Sequence, residues 1–138
     1  MSPLQIPPNC DLTLGMVCVD KSEPGRTTWR MTADERFANP AGIMQGGLLA
    51  AFADSAMGAS AVTFARQASG HGEHPISVAN VEMKTSFYRA VRIGSILTCV
   101  ATVVSGTERV VFCEAEVGDD AARVVGKATS TYVIGRRD

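Results

Sequence analysis

Between Ala41 and Ala65 the chain carries one charge, Asp54. A run of that length can span a bilayer or form the centre of a water-soluble domain. Its make-up favours the second. It contains Ala and Gly more than Leu and Ile, and it includes Gln45, Ser55, Ser60 and Thr63. Asp54 also sits at its middle, where a charge costs about 2.5–3.5 kcal/mol on an insertion scale. Apolar residues lie all round the helical axis rather than on one stripe, as in a core helix. The run therefore predicts a helix from near Ile43 to about Gln67, buried in a sheet and not in a membrane.

The flanking sequence supplies that sheet. Residues 1–11 hold three prolines and read as an irregular lead-in. Leu14–Val19 and Thr27–Met31 read as two short strands around a Pro24-Gly25 turn. Asp34–Gly42 is a loop that Asn39-Pro40 breaks before the helix, and Ala68–Pro75 is a polar loop. Ser77–Arg89 alternates, with Val81, Met83, Thr85 and Phe87 on one face and Asn80, Glu82, Lys84 and Ser86 on the other. Ile96–Val104, Val110–Val117 and Ala121–Ile134 follow after short Gly- or Asp-containing turns, which predicts an antiparallel meander. One long helix and about six strands give an α+β domain over residues 1–138, a curved sheet wrapped around the helix. A chain of 138 residues fits one domain, and one this long folds without a disulfide or metal.

Charge and cysteines narrow the partners. Thirteen basic against fourteen acidic residues give a net charge of -1, which offers no field for nucleic acid or an anionic membrane. Cys10, Cys18, Cys99 and Cys113 form no C-x-x-C pair, and no His stands at zinc-site spacing from them. They read as free thiols in a reducing cytoplasm. The N-terminus shows no basic n-region and no apolar h-region, so no secretory signal is expected. His71 and His74 lie three apart in a Gly-containing loop with no acidic or Cys partner at a helpful spacing, and read as solvated. No metal and no cofactor is expected. There is no G-x-S-x-G elbow, Walker A loop, G-x-G-x-x-G or H-E-x-x-H.

One segment has features that are costly for folding alone: Asn39-Pro-Ala-Gly-Ile-Met-Gln45-Gly46-Gly47-Leu-Leu-Ala-Ala-Phe-Ala-Asp54. Gly42, Gly46 and Gly47 crowd a helix start, where an interior Gly costs up to about 1 kcal/mol against Ala. The first helical turn presents unpaired N–H groups and the positive end of the macrodipole, which suits a polarised carbonyl or an oxyanion. A tight helix–strand crossing would need the same small residues. Asp54 has Ala50, Ala51, Met57 and Gly58 at its i±3 and i±4 positions and no cation on the helix to pair with. Such a carboxylate finds partners elsewhere or shifts its pKa. It then serves as base or nucleophile, or is held by Ser and backbone groups at a subunit contact.

The pattern N-x-x-G-x-x-x-G-G-x(6)-D resembles the phenylacetate-pathway (PaaI-like) branch of the hotdog-fold acyl-CoA thioesterases. The resemblance continues into Val81-Glu-Met-Lys-Thr-Ser-Phe-Tyr-Arg89-Ala-Val-Arg-Ile-Gly94, similar to that family's strand ending in F-x-R-P-x-x-x-G, with Ala90 in place of the Pro. Together these motifs cover most of residues 36–135. The resemblance implies a hotdog fold and places the catalytic carboxylate on Asp54, the oxyanion-hole N–H on Gly46 and a side-chain amide on Asn39. The family's His before that glycine is Gln45 here, which can donate a hydrogen bond but cannot carry an imidazolium charge. A polar strand residue of the family falls on Asn80. Gly47 and Asn80 are candidates for substrate contact. Arg89, Arg92 and Arg109 are candidates by position for the CoA phosphates, each with the alternative of a solvated strand-end charge.

Spacing adds an independent constraint. Gly46 and Asp54 are about 12 Å apart along one helix axis, too far for both to reach one carbonyl carbon at about 3 Å. If both act, Gly46 of one chain meets Asp54 of another, as in a twofold dimer with antiparallel helices. The family implies such a dimer and, beyond it, a tetramer. The expected reaction is hydrolysis of an aromatic or medium-chain acyl-CoA, with Asp54 activating water or attacking directly. The alternatives are a non-catalytic acyl-CoA-binding module, a hotdog hydratase (which would want a His–Asp pair at the helix start) and a purely structural oligomerisation domain.

Overall fold

A computed structural model describes residues 9–69 and 76–136. His71 and His74 fall outside them. The order of elements is α1 (Cys10–Leu14), β1 (Val17–Glu23), β2 (Arg26–Thr32), α2 (Gly46–Ser69), β3 (Ile76–Phe87), β4 (Ile96–Gly106), β5 (Val110–Gly118) and β6 (Val124–Arg136), with one 3-10 turn at Glu35–Phe37. The α+β expectation holds: every strand pairing is antiparallel, and α2 packs against β2 through β6.

The meander that the short turns suggested holds for β4-β5-β6, but β3 does not join it beside β4. The sheet order is β1-β2-β4-β5-β6-β3. The long connection through α2 lets β2 pair with β4, while β3 crosses to the far edge beside β6. That places β3 and β6 together along one flank of α2, where the candidate site is built.

The N-terminal reading also needs correcting. Residues 10–14 form a short helix instead of an irregular lead-in, and the first strand starts at Val17 rather than Leu14. The Asn9 side chain accepts from Leu12 N at 3.2 Å and caps the first turn. Gly15, at φ 73°, ends the helix in the left-handed region, with Met16 N donating to Asp11 O at 3.0 Å. At the other end of the chain, residues 121–123 belong to a turn, and the last strand starts at Val124.

α2 starts at Gly46, three residues later than expected. Ile43 and Met44 are drawn instead into isolated bridges with Arg92 and Ala38. Nor is the helix buried all round. Leu49, Phe52, Ala53, Ala56, Met57, Ser60, Ala61 and Ala65 make one buried stripe at i, i+3, i+4 spacing, whereas Ala50, Ala51, Asp54, Ser55 and Gly58 on the opposite face are half-exposed. Ala and Gly occupy both faces, which mutes the periodicity that would have separated them. By length and composition α2 could cross a membrane, and half of that window is buried inside the fold.

Against the stripe the sheet presents Met31, Leu97, Cys99, Val111, Val117 and Val125, all at most 2% exposed. Close approach is needed at Gly126 of β6, where a Cβ would stand 3.0 Å from Leu49 Cδ2 and from Ser86 O. Two buried hydroxyls fasten the helix polar-side. Ser60 Oγ donates to Ala101 O at 2.8 Å and lies 2.7 Å from Thr27 Oγ1, which also accepts from Trp29 Nε1 at 2.9 Å. All four cysteines are free, with Cys99 and Cys113 buried. Desolvation pushes both of those thiols up to about 12.

Candidate active site

The start of α2 is formed by an extended lead-in rather than by a capping side chain. Met44 N donates to Val91 O at 2.9 Å and Gln45 N to Phe37 O at 2.8 Å, and the Gln45 carbonyl accepts from Leu48 N and Leu49 N. Ahead of it the Asn39 loop closes on itself. Asn39 Oδ1 accepts from Ala41 N at 2.9 Å and Ile43 N at 3.3 Å, and Gly42, at φ 81°, supplies the left-handed turn. The loop thereby uses the Asn39 acceptor and leaves its Nδ2 without a partner among the described residues. The N–H groups of Gly46 and Gly47 likewise have no acceptor among the described residues, as expected at a helix N-terminus.

These groups border an open cleft of about 330 Å³ lined by Asn39, Ile43, Met44, Gly46, Leu49 and residues 87–91. Three sequence-predicted residues, Asn39, Gly46 and Arg89, thus meet in one hollow. The Phe87 ring closes over the helix start, 3.2 Å from where a Gly46 Cβ would be, while the space at Gly47 is open. Gln45, between the lining residues Met44 and Gly46, is exposed. Arg92 is exposed across the bridge from Ile43. Arg109 is not brought to this cleft. It borders a separate hollow with Ala65 and Ser69 at the far end of α2, about 28 Å from Gly46 along the helix axis.

Asp54 lies two turns along α2, outside the cleft, on the half-exposed face. Its Oδ1 accepts from Asn80 Nδ2 at 2.9 Å and from the Tyr132 hydroxyl at 2.6 Å; the same hydroxyl lies 2.9 Å from the Asp54 backbone carbonyl. Asn80 is oriented in turn. Its Oδ1 accepts from Ser130 Oγ at 2.8 Å and from Glu82 N at 3.2 Å, which leaves the amide nitrogen facing Asp54. Burial pushes the Tyr132 phenol strongly up, and the Asp54 side chain adds to that shift. The phenol stays a donor at any working pH.

The sequence pointed to Asn80 and missed Tyr132 and Ser130. It also misassigned the faces of β3. A register shift between Asn80 and Glu82 sets Val81 outward at 58% exposed and puts Asn80 and Met83 on one face, with Asn80 Nδ2 3.7 Å from Met83 Sδ. Uninterrupted alternation would have separated that pair. Among the described residues no group of three His, Cys, Asp or Glu side chains comes together that could hold a metal.

Comparison with known proteins identifies the family and the fold. The family model described as "Thioesterase superfamily" matches residues 41–125. No curated protein matches the sequence. Among solved structures, the E. coli PaaI protein from the phenylacetic acid degradation operon is similar with a TM-score of 0.79 at 18% identity, covering 94% of this chain and 84% of its own. A Streptococcus mutans protein bound to acetyl-CoA gives 0.77 at 16% identity, covering 89% and 91%. A hypothetical thioesterase from Streptococcus pneumoniae with coenzyme A gives 0.76 at 17%, again covering 89% and 91%. At these identities the likeness establishes the fold, and it is the hotdog fold that the sequence motifs implied.

Proposed function

Since the chain belongs to the thioesterase superfamily, we propose that it hydrolyses an acyl-CoA thioester, with an aromatic or medium-chain acyl group, to the free acid and CoA. One observation carries the reading. A single helix presents two N–H groups at its start that have no acceptor among the described residues and, on its half-exposed face, one carboxylate held by hydrogen bonds from two strands. The solved relatives that hold acetyl-CoA and CoA support a CoA ester as substrate.

The site is completed by a second copy of the chain. Asp54 and Gly46 are about 12 Å apart on their helix, and the residues beside Asp54 on the half-exposed face are Ala50, Ala51, Ser55 and Gly58, small enough for a partner to approach closely. β3 ends the sheet, which leaves its outer edge open to a strand of the second copy. A twofold dimer brings the Gly46 end of one helix to Asp54 of the other and repeats the arrangement, giving two equivalent sites. Pairing of two such dimers into a tetramer belongs to the same proposal, as does a cytoplasmic setting, supported by four free cysteines.

The chemistry follows from the groups present. The thioester oxygen accepts from Gly46 N–H, with Asn39 Nδ2 or Gln45 as a second donor, so the charge that develops on it meets fixed dipoles. Asp54 takes a proton from water as the oxygen of that water adds to the carbonyl carbon. The tetrahedral intermediate collapses, the C–S bond breaks, and the CoA thiolate leaves with the proton that Asp54 took from water, which restores the carboxylate. In the alternative course a carboxylate oxygen of Asp54 attacks the carbonyl itself, CoA leaves, and water cleaves the resulting anhydride. Label from heavy-oxygen water found in the Asp54 carboxylate after a single turnover identifies direct attack. Label confined to the product acid fits water attack. Arg89 in the cleft and Arg92, both exposed, are the cations assigned in this reading to the CoA phosphates.

Free-thiol release from a panel of aromatic and straight-chain acyl-CoAs tests the reading. The wild-type chain is expected to turn over at least one of them, and the Asp54→Ala and Asp54→Asn variants none at a comparable rate. Binding without turnover by the wild type would make the chain an acyl-CoA-binding module instead.

A further inference from the structure

Asp54 has two carboxylate oxygens, and the fold treats them differently. Oδ1 receives the Tyr132 hydroxyl at 2.6 Å and the Asn80 amide at 2.9 Å. Oδ2 has no partner among the described residues. Tyr132 is 2% exposed and comes from β6, fixed by its pairing to β3 on one side and β5 on the other. Its hydroxyl also lies 2.9 Å from the Asp54 backbone carbonyl, so one phenol engages the side chain and the helix turn that bears it. A Cβ at Gly58, one turn further on, would stand 3.8 Å from Tyr132 Cε1. The second donor is fixed as firmly. The Glu82 N–H donates to Asn80 Oδ1, and Ser130 Oγ of the same strand as Tyr132 lies 2.8 Å from that oxygen and 2.9 Å from the Glu82 carbonyl, so a flipped Asn80 amide would set its NH₂ against the Glu82 N–H and its oxygen against Asp54 Oδ1.

We propose that Tyr132, supported by Ser130 acting through Asn80, is a positioning residue that immobilises Oδ1 of Asp54 and leaves Oδ2 as the single oxygen that meets the water or the thioester carbonyl. The proposal rests on the thioesterase reading, since it assigns which atom of Asp54 reacts. A carboxylate on a half-exposed helix face would otherwise rotate about χ2 and exchange its oxygens. Tyr132 meets no substrate in this scheme. Its effect is on the fraction of time that Asp54 spends in the reactive orientation, and it therefore acts on turnover rather than on binding. Its burial suits the role, because the hydroxyl keeps its proton across the working pH range.

Tyr132→Phe removes the hydroxyl and keeps the ring. The expected result is a kcat lowered about 10- to 100-fold with KM within about twofold, the scale set by loss of reactive alignment. In the Asp54→Asn background the same substitution is expected to lower the residual rate no further, because the group it positions is gone. Ser130→Ala reaches the same carboxylate through Asn80 and is expected to lower kcat about 3- to 10-fold, again at constant KM; it decides the matter if Tyr132→Phe does not fold. Wild-type kcat in a folded Tyr132→Phe protein overturns the proposal and leaves the thioesterase reading standing. So does a loss of equal size in the wild-type and Asp54→Asn backgrounds, which marks a purely structural role. Absence of turnover by the wild type on every acyl-CoA removes both.

Discussion

The Tyr132 hydroxyl on the last strand lies 2.6 Å from Oδ1 of Asp54, the only acid of the central helix. This bond ties the chemistry proposed for α2 to the flank of the sheet formed by β3 and β6, and the Asn80 bond to the same oxygen depends on β3 crossing to the far edge. The strand order is therefore a condition of the site, since Asn80 and Tyr132 converge on one carboxylate only because their strands are neighbours.

Gly47 separates stability from function. A Cβ there meets nothing within 4 Å in the protomer, and Ala is favoured over Gly in a helix by up to about 1 kcal/mol. Gly47→Ala is expected to keep or slightly raise the urea midpoint while lowering kcat/KM, because in the proposed dimer the open space holds substrate or the partner helix. Unchanged kcat/KM would place both away from Gly47.

Gly46→Ala acts by a different route. The new methyl would stand 3.2 Å from the Phe87 ring, and Phe87, at 53% exposed, has room to give. The backbone N–H is retained. The expected outcome is a folded protein with a displaced Phe87, seen as altered aromatic NMR shifts, and with activity reduced less than by Asp54→Asn.

Thr27 anchors α2 through a buried hydroxyl that serves Trp29, Ser60 and the Ala56 carbonyl. Thr27→Val keeps the shape and strips these partners, leaving buried polar groups unmet at a cost of about 1–3 kcal/mol. Chemical denaturation should show that loss in the midpoint with an unchanged slope. Turnover per folded molecule should hold.

Alkaline pH probes the buried thiols. In the folded chain Cys99 and Cys113 are raised from 9.0 to about 12 by burial, so the unfolded chain ionises first. The stability that comes from keeping them neutral is complete below pH 9 and is lost as pH rises toward 12. Tyr132, raised from 10.0, adds a loss of the same sign from pH 10 upward. Urea midpoints measured from pH 7 to 11 should be flat with respect to these groups up to about 9 and then fall. At pH 8 a thiol reagent should modify the exposed Cys10 readily, and Cys99 and Cys113 only after unfolding.

Much of this molecule could be read from its sequence, for physical reasons that differ by element. A long low-charge run bounded by polar loops has few outcomes other than a core helix, and an isolated acid within it draws attention because a half-buried charge requires partners. Strand positions followed from alternation and turns. Strand order did not, because pairing is non-local: nothing along β3 states that it will lie beside β6 rather than β4. The bulge at Val81 reversed the alternation locally and hid the shared face of Asn80 and Met83. Tyr132 reads as one more apolar strand position, and only its three-dimensional register aims its hydroxyl at Asp54. Arg109 resembled Arg89 and Arg92 as a strand-end cation, yet the fold sends it to the opposite end of α2.

The central claim is that Asp54 of one chain acts on a carbonyl held by Gly46 of another, and mixing two impaired variants tests it most directly. Gly46→Pro removes the N–H at a first-turn position that tolerates proline, and Asp54→Asn removes the acid. Each variant alone is expected to retain only a small residual rate. After denaturation and joint refolding at equal amounts, half of the dimers are mixed and each mixed dimer has one intact site, so activity should recover to about a quarter of the wild-type level. Mixed dimers that form, as shown by differently tagged subunits purifying together, and yet hydrolyse acyl-CoA no faster than either variant alone would contradict the shared site.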